Sequence, residues 1–237
     1  MLKATIELLT ILHSIIGAVC LVLGPIAMLA VKGGSLHRRI GKIVFYGILF
    51  ISLTAIVTGY WHGRVYLVLV AFFAMYAVLG GYRSLYLKRL HQGQKPATID
   101  KLLQGTALLV SLGLLIWGIS MLTLKVGGGR GYVYLFFGLF GSFYAFMQYR
   151  RFFTNTTDKR QWLFDHMTGF IIGYLATLTA FSVNILSAQM PLILAWSWPS
   201  LIGFPILLFW FRNYRRHFAN GKKLRKIAPV VRLGLKR

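Results

Sequence analysis

Acidic side chains are almost absent from this chain. Among 237 residues only Glu7, Asp100, Asp158 and Asp165 are acidic, against 27 Lys and Arg. Charged residues of either sign make up 13% of the chain, about half of what a soluble domain carries. A net charge of +23 would point to nucleic acid if it were spread over a soluble surface. Here the charges sit in short clusters between apolar runs of about twenty residues, the signature of a polytopic membrane protein, and nucleic acid is excluded as a partner. Cys20 is the only cysteine, which rules out an intramolecular disulfide and a cysteine-based metal site. No Ser-His-Asp grouping, phosphate loop or H-E-x-x-H occurs, so soluble-type hydrolase and nucleotide chemistry is excluded and no metal site is expected. Long linkers and internal repeats are missing as well.

What remains is apolar sequence. Seven spans can be marked, Ile6–Val31, Ile40–Trp61, Val65–Leu87, Leu102–Leu124, Tyr132–Tyr149, Trp162–Ala188 and Leu192–Phe211. A backbone in lipid must satisfy its own hydrogen bonds, so the fold is all-α, a polytopic transmembrane bundle of seven helices. Residues 1–211 form one transmembrane domain and residues 212–237 a basic tail. The first run is too long for a signal-peptide core and reads as a retained helix. Pro25 should bend it, and Pro199 and Pro205 should kink the seventh.

Alternate connections, together with the tail, hold 23 of the 27 basic residues, and the other side holds four. The positive-inside rule then puts the N-terminus outside and the C-terminus in the cytoplasm. Tyr60, Trp61, Tyr66, Tyr132, Trp196 and Trp198 fit an outer aromatic belt, and Tyr82, Tyr86, Tyr149, Trp162, Trp210 and Tyr214 an inner one. In the tail, Lys222, Lys223, Arg225 and Lys226 are spaced to bind anionic lipid headgroups. "GGSLHRRIGKI" becomes a cytoplasmic turn, with Gly33–Gly34 reversing the chain and Ser35 as N-cap.

Small and polar residues mark the faces where membrane helices meet. Thr10, His13, Gly17, Cys20 and Gly24 form one stripe on the first helix, and His166, Gly169, Gly173, Ala176, Ala180, Asn184 and Ser187 a longer one on the sixth. Shorter stripes run along the second helix (Ser52, Ala55, Gly59) and the fifth (Gly138, Gly141, Ala145, Gln148). These spacings predict that the first and sixth helices pack together, Gly17 against Ala176 or Ala180 and Gly24 near Gly169. His13 lies seven residues inside its span, about 10 Å deep. An intramembrane ionisable group marks a functional site, so His13, Gly17 and Asn184 form the candidate intramembrane site, with Asn184 as hydrogen-bond partner of His13. His37, Arg38, Asp165 and His166 form a candidate site on the cytoplasmic side. His62, His91 and His217 read as interfacial or solvated.

"LHSIIGAVCLVLGPIAML" followed by "KGGSLHRRIGKIVFY" resembles an uncharacterised family of bacterial multi-pass membrane proteins. The shared features are an H-x-x-x-G on the first helix, here His13 and Gly17, and an H-R-x-x-G-[KR] opening the second, here His37, Arg38, Gly41 and Lys42. "WLFDHMTGFIIGYLATLTAFSVN" is similar to a later segment of that family. The resemblance implies a helical protein of the bacterial cytoplasmic membrane and nominates His13, His37 and His166. It carries no activity.

Three classes of function stay open. A redox protein would hold haem b or quinone, with His13 and His62 at one level and His37 and His166 at the other. A transporter of a proton, ion or small molecule would use His13, Thr177 and Asn184 along its path, although no mid-membrane acid or inverted repeat supports it. A non-catalytic assembly or lipid-binding component would use the basic tail.

Overall fold

The computed structural model describes residues 1–126, 130–154 and 158–220, and no strand occurs among them. The seven long helices are α1 (Leu2–Leu29), α2 (Ser35–Trp61), α3 (Val65–Arg83), α4 (Thr98–Thr123), α5 (Arg130–Arg150), α6 (Gln161–Ile185) and α7 (Leu192–Ala219). All but α5 are long and apolar enough to cross a membrane. The exception is a helix of 21 residues diluted by Gly131, Gly138, Gly141, Ser142, Gln148 and four tyrosines. The chain is therefore a multi-pass helical membrane protein. Single 3₁₀ turns extend α3 at Ser84–Tyr86 and α6 at Leu186–Ala188.

Helix ends differ from the apolar runs where polar residues can still serve a helix. Asp100, outside the run expected for the fourth span, lies in the first turn of α4, where its carboxylate accepts from the Ala97 N–H at 2.9 Å. Such a return bond satisfies one of the donors that a helix start leaves open. Beyond Phe211, α7 continues for two turns through Arg212, Arg215 and Arg216, long side chains that favour helix and suit a C-terminus. The α1–α2 connection turns at Gly33, which has a φ of +75°. Ser35 is not the N-cap. Gly34 holds that position, without a side-chain bond, and Ser35 is the first helical residue. The basic tail residues Lys222, Lys223, Arg225 and Lys226 lie outside the described residues.

The chain divides into two compact units, Met1–Met75 with Ile171–Arg237, and Tyr76–Phe170. Helices α3 and α6 contribute a stretch to each. In the first unit α1 meets α2 where Cys20, 1% exposed, fills the space beside Gly47. Gly24 lies against Tyr174 of α6, so close that an added Cβ would stand 2.5 Å from the ring. The Tyr174 hydroxyl donates to the Leu21 carbonyl at 3.0 Å. The expected α1–α6 contact thus exists, with the Tyr174 ring against Gly24. Gly203 of α7 makes room for Leu175, which anchors an apolar cluster with Ile171 and Leu207.

The second unit is built on backbone contacts between glycine faces. A Cβ on Gly169 of α6 would strike the Ala77 carbonyl and stand 2.6 Å from the Gly81 Cα of α3. Gly118 of α4 lies against the Leu135 nitrogen and the Gly131 carbonyl of α5, and Gly138 lies against Leu115. These pairs set the antiparallel register of α4 and α5.

Candidate functional sites in the two units

In the first unit α1, α2, α3 and α6 surround a cavity of about 410 Å³, within the range of small-molecule sites. The stripe on α1 supplies Thr10, His13 and Gly17, and the stripe on α6 supplies Ala176, Ala180 and Asn184. From Arg64 to Ala74 the cavity follows α3 for ten residues, about 15 Å of helix rise. Its lining is graded. Thr10, Thr58, His62, Arg64 and Asn184 cluster toward one end, and Leu21, Val70 and Ala74, with the single hydroxyl of Ser52, line the other.

His13 lies between those ends. Its Nδ1 is 2.9 Å from the Thr54 hydroxyl of α2. That hydroxyl sits 2.9 Å from the Phe50 carbonyl and 3.1 Å from the Ile51 carbonyl, and its single proton goes to one of them. With that proton on a carbonyl the oxygen accepts from His13, an assignment that puts the proton on Nδ1 and leaves Nε2 as the basic nitrogen. Asn184 does not partner His13. Its Oδ1 accepts from Arg64 at 2.8 Å, and its amide donates to the Ala180 carbonyl at 2.8 Å. The reason is geometric, because Thr54 faces His13 at close range while Asn184 stands on the polar end with Arg64.

Gly17 is not a packing glycine. A Cβ there would meet nothing within 4 Å. Gly17, Ala176 and Ala180 face a common cavity and do not form the close helix contact that the stripes suggested. His62, read from the sequence as interfacial, lines the cavity, and so does Thr177.

The four residues of the second candidate site, expected on the cytoplasmic side, are divided between the units. His37 and Arg38 belong to the first, where the His37 Nδ1 donates to the Ala27 carbonyl at 2.9 Å and ties the start of α2 to the end of α1. Asp165 and His166 belong to the second. Asp165 pairs with Arg151 and accepts from Gln161 at 2.9 Å, and the His166 Nδ1 donates to the Gly81 carbonyl at 3.0 Å. Within its own unit each of the three bonded residues serves a helix junction.

Lys32, which the sequence marked only as a loop charge, folds back on the end of α1. Its ammonium donates to the Met28 carbonyl and lies 5.6 Å from the centre of the Trp210 ring. Burial pushes its pKa down to about 8 from the usual 10.5. Between those two values the unfolded chain holds more protons than the folded one, so stability should rise with pH across that window. Below about pH 8 the desolvation cost is fully present. The unfolding midpoint should climb between pH 8 and 10, and Lys32→Met should flatten the climb; an equal climb in both proteins would show that Lys32 does not carry it.

Of a polar site in the second unit the sequence reading caught only Asp165. Three of the chain's four acids, Asp100, Asp158 and Asp165, line one small pocket with Arg83, Arg151 and His91. Arg83 grips Asp100 through two bonds of 2.7 and 3.1 Å, and Asp100 is 1% exposed. Gln104 and Gln148 also line the pocket; Gln104 accepts from the Tyr76 hydroxyl and Gln148 from Arg151 at 3.0 Å. The available signal was the spacing of Asp100, Gln104, Ala107, Ser111 and Gly118. They form one buried stripe along α4 with no large apolar member.

These features define a multi-pass helical membrane protein with an intramembrane cavity in one unit and a charged pocket in the other. No protein-family model, no curated protein and no solved structure matches the chain.

Proposed function

We propose that the first unit binds a small amphiphile with an anionic head, such as a long-chain carboxylate, inside the bilayer. The observation that carries this reading is the graded cavity, with Arg64, His62 and Asn184 at its polar end and aliphatic side chains at the other. Arg64 meets a neutral amide there and not a carboxylate. The only acid in the first unit, Glu7, is exposed and does not line the cavity. Arg64 is an exposed cation at the open end of the cavity, and a cation there favours an anion. The head would sit against Arg64 and the body would run past His13 along the open flank of Gly17. Protein purified from membranes in mild detergent should retain acidic amphiphile that mass spectrometry of the extract detects, and Arg64→Gln should retain several-fold less. Equal retention would remove Arg64 from the site and the reading with it.

The His13–Thr54 bond favours a second reading, in which the amphiphile is haem b. An Nδ1-protonated histidine offers Nε2 to an iron, and haem propionates suit Arg64. A Soret band in the wild type that His13→Gln abolishes would select this reading, and a colourless protein made with ample haem would leave the carboxylate. The charge asymmetry and the family resemblance support a place in a bacterial cytoplasmic membrane with the C-terminus inside. A C-terminal reporter active only outside the cytoplasm should stay silent, and activity from it would reverse the orientation.

A further inference from the structure

The stripe on α4 leads away from the charged pocket and into the interior of the second unit. Gln104 lines the pocket and accepts from Tyr76, whose ring lies 5.6 Å from that of Tyr144 on α5. Ser111 stands seven residues beyond Gln104 on the same buried face and is 0% exposed. The α4–α5 register, set by Leu115 against Gly138, places Ser142 opposite Ser111 one turn further on. The hydroxyls of Ser111 and Ser142 are both buried with no hydrogen-bond partner, while the Tyr144 hydroxyl interacts with Gln148. Serine in a membrane helix normally bonds the carbonyl one turn back, as Ser14 and Ser120 do here. Two buried hydroxyls facing each other across two helices, neither satisfied by protein, call for a mobile partner that both donates and accepts. Water is the smallest species that does so.

We infer that the second unit contains a hydrated path, a file of water molecules running from the charged pocket along the α4 stripe to Ser111 and Ser142. By helix rise Ser111 lies about 20 Å from the start of α4, near the middle of the span. The path gives water access to mid-membrane from one end of the unit. It stands apart from the amphiphile cavity and does not depend on it.

Silver ion, a thiol reagent close to water in size, tests the path on the full-length protein in bilayers. With Cys20 replaced by Ala, Ser111→Cys and Ser142→Cys are made separately, and Leu109→Cys, at a side chain 73% exposed on the outer face of α4, is the control. Serine and cysteine are close in size, and each variant is checked by its elution profile before labelling. Both buried thiols should be blocked at least ten-fold faster than the control. Blocking of either no faster than at position 109 would overturn the path as drawn. In the wild type, magnetisation transfer from water to the Tyr144 ring, measured by solid-state NMR with labelled tyrosine, should exceed that to the lipid-facing Leu109. Transfer no stronger than to Leu109 would overturn it independently of any variant.

Discussion

Asp100→Leu should destabilise the protein by about 3 kcal/mol, the cost of stranding one partner of a buried ion pair. Asp100 does two things at once. It takes both bonds of the Arg83 fork, and it accepts from the Ala97 N–H at the start of α4. Leucine keeps the branched skeleton in a larger volume and loses both, leaving a guanidinium that is 28% exposed without its anion. Adding Arg83→Met should recover most of the loss, because an ion pair replaced whole by apolar groups costs little. The residual deficit should be about 1 kcal/mol, the worth of a helix-start bond. Unfolding of the single and double variants in mixed micelles measures both terms. A single variant within about 1 kcal/mol of wild type would show that the pair is an ornament of the pocket and not a clasp.

Gly169→Ala should, with Gly138→Ala, be among the most damaging single-methyl changes at the described glycines. Its Cβ would enter the Ala77 carbonyl and stand 2.6 Å from the Gly81 Cα, and backbone cannot step aside as a flexible side chain can. Overpacking of this kind costs about 1–3 kcal/mol, and more where the obstacle is main chain. Gly17→Ala provides the contrast, since its methyl meets open space and alanine favours helix by somewhat under 1 kcal/mol. The two variants should therefore separate widely in unfolding midpoint although each adds one carbon to a glycine on a predicted stripe. Similar midpoints would mean that α3 and α6 are not held by this contact.

That contrast marks what could be read in advance. Spacing alone identified the stripes, and the seven spans lie within a few residues of the seven helices except at the end of α7, which runs eight residues further, because apolar length and backbone satisfaction leave little choice in a bilayer. Whether a given glycine admits a neighbouring helix or borders a cavity depends on the side chain it faces. Gly24 faces Tyr174 and Gly17 faces space, and no periodicity in the α1 sequence distinguishes them. The partner of His13 was misread for a related reason. Asn184 matched in depth and stripe, but Thr54 sat on a helix whose marked stripe was Ser52, Ala55 and Gly59, one position out of phase. The α4 stripe was overlooked because Asp100 fell outside the apolar run and was assigned to a loop. Only the helix that begins at Thr98 aligns it with Gln104 and Ser111.

The claim at the centre of this account is that the cavity in the first unit takes an anionic amphiphile along the flank of Gly17. Gly17→Leu tests it most directly, since the larger side chain would fill that flank without touching the packing of α1 on α2 at Cys20 and Gly47. The measurement is the thermal unfolding midpoint of wild type and Gly17→Leu in nanodiscs of neutral lipid, with oleate added in steps. The account predicts that the two proteins unfold within a few degrees of each other without oleate, and that oleate raises the wild-type midpoint but not that of the variant. An oleate shift of equal size in both, or no shift in the wild type, would contradict it.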